Sequence, residues 1–170
     1  MSCFCRNLWF GIAVLCLVAV GSLSPVNRAA AEDATETEAL DFVRKTGLNN
    51  NFPEMIMGFA VQTQTVQGLM IKYGSTPVTA SLVNEVRQVV LEYGPAWDRN
   101  LASIYAEFYT REEMLSLLND PLTSPYLPKL KQNNHEIGVK MQALSWDLMQ
   151  ESVVATVKAV FQEFSGTANQ

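Results

Sequence analysis

From Phe52 to Tyr73 the apolar residues Phe52, Ile56, Phe59, Val66, Met70 and Tyr73 step by threes, fours and sevens, with Thr63 in the one missing place. That spacing is the 3.6-residue period of a helix with a single apolar stripe, not the two-residue period of a half-buried strand. The same spacing returns in Leu82, Val86, Val89 and Tyr93, and in Trp97, Leu101, Ile104 and Phe108. It returns again in Ile137, Met141, Leu144 and Leu148, continued by Val153, Val157, Val160 and Phe164. No segment alternates as a strand would. Helices that are apolar on one stripe must bury it against one another, so the pattern predicts an all-α antiparallel bundle.

The punctuation between stripes sets the expected number of helices at six. Thr35 with Glu38 three residues on fits a capping box, and Gly47-Leu48 closes that helix with a glycine stop and an apolar residue just beyond. Asn49–Asn51 reads as a turn, and Pro53 suits the start of a second helix running to Tyr73. Gly74-Ser75-Thr76-Pro77 restarts the chain, and Gly94-Pro95 is expected to separate a third helix from a fourth. Thr110 and Glu113 form a second capping box at the head of a short fifth helix, closed by Asn119-Asp120-Pro121. A long C-terminal helix then begins near Pro125 or Tyr126, with Gly138 as a place for a local bend.

Residues 1–31 read differently. Arg6 and the amino terminus precede an apolar run from Leu8 to Val20, and the small residues Ala29-Ala30-Ala31 stand just before an acidic segment. These are the parts of a secretory signal, and thirteen residues fall well short of the roughly 20 that a spanning helix needs. The expectation is cleavage near Ala31, leaving residues 32–170 as one domain. All three cysteines (Cys3, Cys5, Cys16) lie in the signal, so the exported part has no disulfide, thiol nucleophile or thiolate metal site. A cysteine-free exported chain suits a bacterial periplasm. With Arg6 and Arg28 gone, 12 − 2 = 10 basic residues face 17 acidic ones, a net charge of −7. That balance argues against nucleic acid and anionic lipid as partners, since both need a basic footprint.

The chemistry-bearing residues are few. His135, the single histidine, sits among Lys, Gln and Asn and reads as a solvated helix face. No Gly-x-Ser-x-Gly elbow or Ser-x-x-Lys occurs, and zinc would find only carboxylates beside that histidine. Glu107, Glu112, Glu113 and Asp120 could supply a carboxylate pair of the glycosidase kind. Helix-start chemistry already accounts for Glu112 and Glu113, however. Met55, Met57, Met70, Met114, Met141 and Met149 are spread over several helices and read as core rather than as a copper(I) site. The expectation is accordingly no metal and no cofactor.

The densest stretch is the corner from Phe108 to Leu130. Trp97, Tyr105, Glu107, Tyr109, Thr110, Glu113, Ser124, Pro125 and Tyr126 are the candidate residues there, for architecture or for an interaction surface. Ile104-Tyr105-Ala106-Glu107, Phe108-Tyr109-Thr110 and Arg111-Glu112-Glu113-Met114, then Ser124-Pro125 and Lys129, with Trp97-Asp98 upstream, resemble the signature of the bacterial domain-of-unknown-function family 2059. The likeness covers about residues 97–129. It departs at Pro121-Leu122, where the family tends to have Phe-Tyr, and at Leu127, where it tends to have Gly. The resemblance implies a small exported all-helical domain and no reaction.

Three functions are open to such a chain. The first is a non-enzymatic periplasmic interaction module that self-associates or meets another periplasmic protein. The second is a carrier of a small apolar ligand between helices lined by Phe52, Phe59, Met70, Trp97 and Tyr105. The third is a cell-envelope hydrolase working through Glu107 and Glu113.

Overall fold

A computed structural model describes residues 34–167. The expected signal at residues 1–31 lies outside the described residues. Within them the chain forms six helices, an all-α bundle as the periodicity predicts: α1 (Glu36–Thr46), α2 (Asn51–Val61), α3 (Gln64–Tyr73), α4 (Ser75–Phe108), α5 (Arg111–Asn119) and α6 (Leu127–Thr167).

The number six is reached by a different division of the chain. The helix expected from Pro53 to Tyr73 is two helices. Thr63 leaves helical geometry at ψ 144°, donates its hydroxyl to the Ala60 carbonyl (2.7 Å) and accepts from the Val66 amide (3.3 Å). One side chain thus ends α2 and caps α3. The apolar stripe bridges the break because Phe59 and Val66 are seven apart, which hides it. Conversely, the two helices expected on either side of Gly94-Pro95 are the single α4, with Pro95 inside it. Proline removes one intrahelical hydrogen bond and crowds the residue before it. Gly94 has no Cβ to be crowded, and Leu91, whose carbonyl loses its donor, is 74% exposed, so water can serve that carbonyl.

The other ends behave as read. Thr35 and Glu38 form the capping box of α1, and Gly47 turns at φ 70° while Leu48 donates back to the Val43 carbonyl at 3.2 Å. Gly74 stands at φ 92° between α3 and α4, a conformation that a side chain would strain.

The two long helices form the frame. Ser81 bonds Glu163, Asn100 bonds Ser145 and Lys140 pairs with Glu107, so α4 and α6 run antiparallel along their lengths. One apolar cluster gathers Phe42, Phe52, Ile56, Trp97, Ile104, Tyr105, Met114 and Ile137 at one end. A second gathers Ala60, Val66, Leu69, Val78, Leu82 and Val160 at the other.

On α6 the expected stripe faces inward, with Ile137, Met141 and Val160 buried and Leu148, Val153, Val157 and Phe164 packed against the core, except at Leu144, where hydroxyls take the inward places. Leu144 is 53% exposed, whereas Ser145, Ser152 and Thr156 are buried. Ser152 donates to the Leu148 carbonyl (2.7 Å) and Thr156 to the Ser152 carbonyl (2.9 Å). Hydroxyls satisfied by their own helix can be buried against α4 at little cost, and their small size permits close approach.

Candidate functional site

The corner between α4, α5 and α6 is built from the residues singled out in the sequence. Thr110 accepts from the Glu113 amide at 3.3 Å while Glu113 Oε2 accepts from the Thr110 amide at 3.0 Å, the reciprocal bonds of a capping box. The same Glu113 carboxylate takes Lys129 Nζ on both oxygens, at 2.8 and 2.6 Å. The Lys129 ammonium also lies 5.0 Å from the centre of the Tyr109 ring, in cation–π range. Tyr109 donates its hydroxyl to the Lys129 carbonyl at 3.4 Å and packs against Tyr105, ring centres 5.7 Å apart.

Burial dominates the electrostatics of this tyrosine pair. It pushes the Tyr105 phenol up to about 12, with Tyr109 beside it adding to the effect. Burial also raises Tyr109, opposed by a hydrogen bond with Asn133 and reinforced by the Glu113 charge.

Ser124 is buried, shares a hydrogen bond with Ser116 (2.9 Å) and accepts from the Tyr126 amide (3.3 Å). Asp120 accepts from the Leu122 and Thr123 amides and shapes the turn ahead of it. Pro125 is exposed and Tyr126 half-buried. Glu107, the other candidate carboxylate, is exposed and held by Lys140. Glu107 and Glu113 are thus engaged by different lysines, and neither lines any of the clefts described below. The polar groups at this corner answer one another, and the arrangement joins three helices.

Trp97-Asp98 has the same architectural character on its acidic side. Asp98 is buried, receives Arg44 Nε at 2.9 Å and Asn49 Nδ2 at 2.8 Å, and so ties α1 and the turn after it to α4. Trp97 stacks on Phe52, ring centres 4.6 Å apart and planes 19° from parallel. Its indole N–H is different: although the residue is only 4% exposed, Nε1 has no hydrogen-bond partner among the described residues. A buried donor left unpaired costs free energy unless something else accepts from it.

Trp97 also lines a half-open cleft of about 290 Å³ between α2 and α6. Met55 and Phe59 of α2 and Met141, Trp146 and Met149 of α6 form its walls, with Gly138 at one end. Of the residues expected to line a ligand site, Phe59 and Trp97 are here. Phe52 and Tyr105 belong to the core at that end of the bundle, and Met70 packs against the other cluster. Three methionines that look scattered in sequence meet at this cleft, because α2 and α6 lie side by side. A second, more open cleft of about 410 Å³ runs along Asn49, Pro53, Val90 and Pro95 and shares Trp97. His135 is exposed, as its neighbours suggest. Among the described residues no cluster of histidine, cysteine or carboxylate side chains could hold a metal ion, and no helix is long and apolar enough to cross a membrane.

The remaining feature is the outer face of α6. Val139 (53% exposed), Trp146 (47%), Val154 (64%) and Phe161 (49%) lie on one stripe with Ala143 and Gln150, and with Val157, which is itself partly buried against the second cluster. At about 100° per residue the seven stay within roughly 40° of the direction of Gln150, on the side of α6 turned away from Ser145, Ser152 and Thr156. α6 is therefore apolar on two faces, one buried and one not. The sequence signal for it was present in the spacing, but merged with the buried stripe.

No family model matches the chain, and neither a curated protein nor a solved structure matches it.

Proposed function

We propose that the chain is an exported, non-enzymatic interaction module that associates with copies of itself through the outer face of α6. The observation that carries this is the four large apolar side chains standing 47–64% exposed on one stripe of a 41-residue helix. An apolar stripe of that kind, interrupted by Gln150 alone, is uncommon on a surface that meets only water. The export part of the reading draws on the signal-like residues 1–31 and on the likeness of Trp97–Lys129 to family 2059, which implies a small exported helical domain.

The test is the mass of the protein in solution. Light scattering across a wide concentration range is expected to show a concentration-dependent rise above the monomer mass. Val154→Lys should abolish that rise, and because the side chain is exposed it should leave the helical circular dichroism unchanged. A mass that stays monomeric throughout would remove the proposal.

A second reading is favoured by a separate observation, the unpartnered Trp97 N–H beside the α2–α6 cleft. The cleft approaches the lower end of the roughly 300–1,000 Å³ that small-molecule sites occupy. In this reading the module carries a small apolar molecule with one hydrogen-bond acceptor, seated among Met55, Phe59, Met141 and Trp146. Native mass spectrometry of protein taken gently from its compartment should then show a fixed added mass that organic extraction removes. A bare chain mass, together with an empty extract, counts against it.

A further inference from the structure

The polar groups that line the α2–α6 cleft are Asn51, Gln142, Ser145 and the Trp97 indole. Asn51 and Gln142 are exposed to water. Ser145 is buried but engaged, accepting from Asn100 Nδ2 at 3.0 Å and donating to Met141 Sδ at 3.4 Å. That leaves Trp97 Nε1, buried and without a partner among the described residues. An indole N–H only donates, so whatever answers it must bring an acceptor. Water fits poorly, because a buried water needs roughly two to four polar partners and the rest of the wall is thioether and ring.

We infer that the cleft takes an uncharged, flat aromatic molecule bearing a carbonyl oxygen, with Trp97 Nε1 donating to that oxygen. This rests on the carrier reading above and names the class of its ligand. Among the described residues that line the cleft, none is charged. A carboxylate such as that of a fatty acid would enter unpaired, at a heavy desolvation cost. Thioether sulfur makes favourable contacts with aromatic rings that it does not make with an alkyl chain. Met55, Met141 and Met149 supply three such sulfurs, and Phe59 and Trp146 add ring faces.

The volume of about 290 Å³ equals that of about ten waters at roughly 30 Å³ each, which suits two fused rings rather than a larger polycycle. Nε1 is shielded from solvent, and the flexible methionine side chains are the part of the wall that can yield to bring an acceptor to it. Gly138 stands at one end of the cleft, and a Cβ there would meet nothing within 4 Å. Packing therefore does not require glycine at that position. The missing side chain leaves that end of the cleft open.

Equilibrium dialysis of the purified protein against 1-tetralone, tetralin, decan-2-one and 1-naphthoate tests the assignment. Tetralone and tetralin share a bicyclic frame and differ at the carbonyl, while decan-2-one keeps a carbonyl on a chain with as many carbons. The expected result is one tetralone per chain, held on the order of fivefold tighter than tetralin, the worth of one neutral hydrogen bond. Decan-2-one should bind more weakly and 1-naphthoate not at all. Trp97→Phe should lower tetralone to the level of tetralin. Gly138→Leu should weaken every probe while leaving the far-ultraviolet circular dichroism unchanged. Equal binding of tetralone and tetralin would overturn the inference, and that comparison needs no variant to fold. Decan-2-one or 1-naphthoate held as tightly as tetralone would overturn the ligand class and leave the carrier standing. So would a protein that binds no probe yet shows a fixed added mass by native mass spectrometry. Binding that survives Gly138→Leu would place the site elsewhere and overturn the inference. No bound probe and no added mass would remove both this inference and the reading beneath it.

Discussion

Thr110→Ala removes the acceptor for the Glu113 amide and one half of a capping box, and is expected to lower stability by about 1 kcal/mol. The measurement is the midpoint of urea unfolding; an unchanged midpoint would mean that the box is redundant with the Lys129–Glu113 pair. A pH titration tests the tyrosines. Folding holds Tyr105 protonated up to about 12, whereas in the unfolded chain it ionises near its ordinary value of 10. Its contribution to stability is therefore complete below about pH 10 and is lost as the pH rises towards 12. Tyrosinate absorbance should show a late-titrating group in the folded protein that disappears in Tyr105→Phe. A titration with all tyrosines ionising together near 10 would contradict the burial. At this scale the sequence is legible where partners are three residues apart, as Thr110 and Glu113 are. It is silent on Lys129, sixteen positions away from Glu113, and on the lone N–H of Trp97, because both depend on how helices pack.

The helices themselves were legible in kind and misleading in their ends. Apolar period identifies a helix but not its continuity, because a seven-residue gap such as Phe59 to Val66 keeps its phase across a break made by one threonine. Gly94-Pro95, by contrast, has the composition of a stop and is passed through by α4. The physical account of that passage makes a prediction about sign. Gly94→Ala alone brings a Cβ against the Pro95 ring and should destabilise the protein. In the background of Pro95→Ala the same substitution has only ordinary contact to make, with Val90 Cγ1 at 3.5 Å from the new Cβ. There it should stabilise by about 1 kcal/mol, the usual gain of alanine over glycine inside a helix. Thermal unfolding of the four proteins in the cycle gives the coupling directly. If Gly94→Ala has the same effect in both backgrounds, the glycine is not what lets α4 continue. The buried serines of α6 belong to the same lesson. A hydroxyl that bonds its own helix can occupy a core position, so counting aliphatic residues placed Leu144 inward, where Ser145 is.

At the scale of the whole molecule, two apolar clusters are strung along one antiparallel pair of helices. Neither the pairing of α4 with α6 nor the division of the core can be read from the sequence, since each stripe says only that it must be buried. The division raises the question of whether the two ends unfold separately. Both clusters draw on α4 and α6, and a helix cannot lose one end's packing without exposing apolar surface continuous with the other's. The bundle is therefore expected to unfold as one cooperative unit. Leu82 is fully buried in the cluster formed with α3, and Trp97 lies in the other. Leu82→Ala should cost about 2–5 kcal/mol, the usual range for a buried leucine. The informative observation is where that loss is seen. If the molecule is one unit, the substitution lowers the unfolding midpoint equally by far-ultraviolet circular dichroism and by tryptophan fluorescence, although both tryptophans of the described residues, Trp97 and Trp146, line the α2–α6 cleft. If the fluorescence midpoint stays in place while the dichroism splits into two steps, the end around α3 melts on its own. The long helices would then be joined only by the cluster around Trp97.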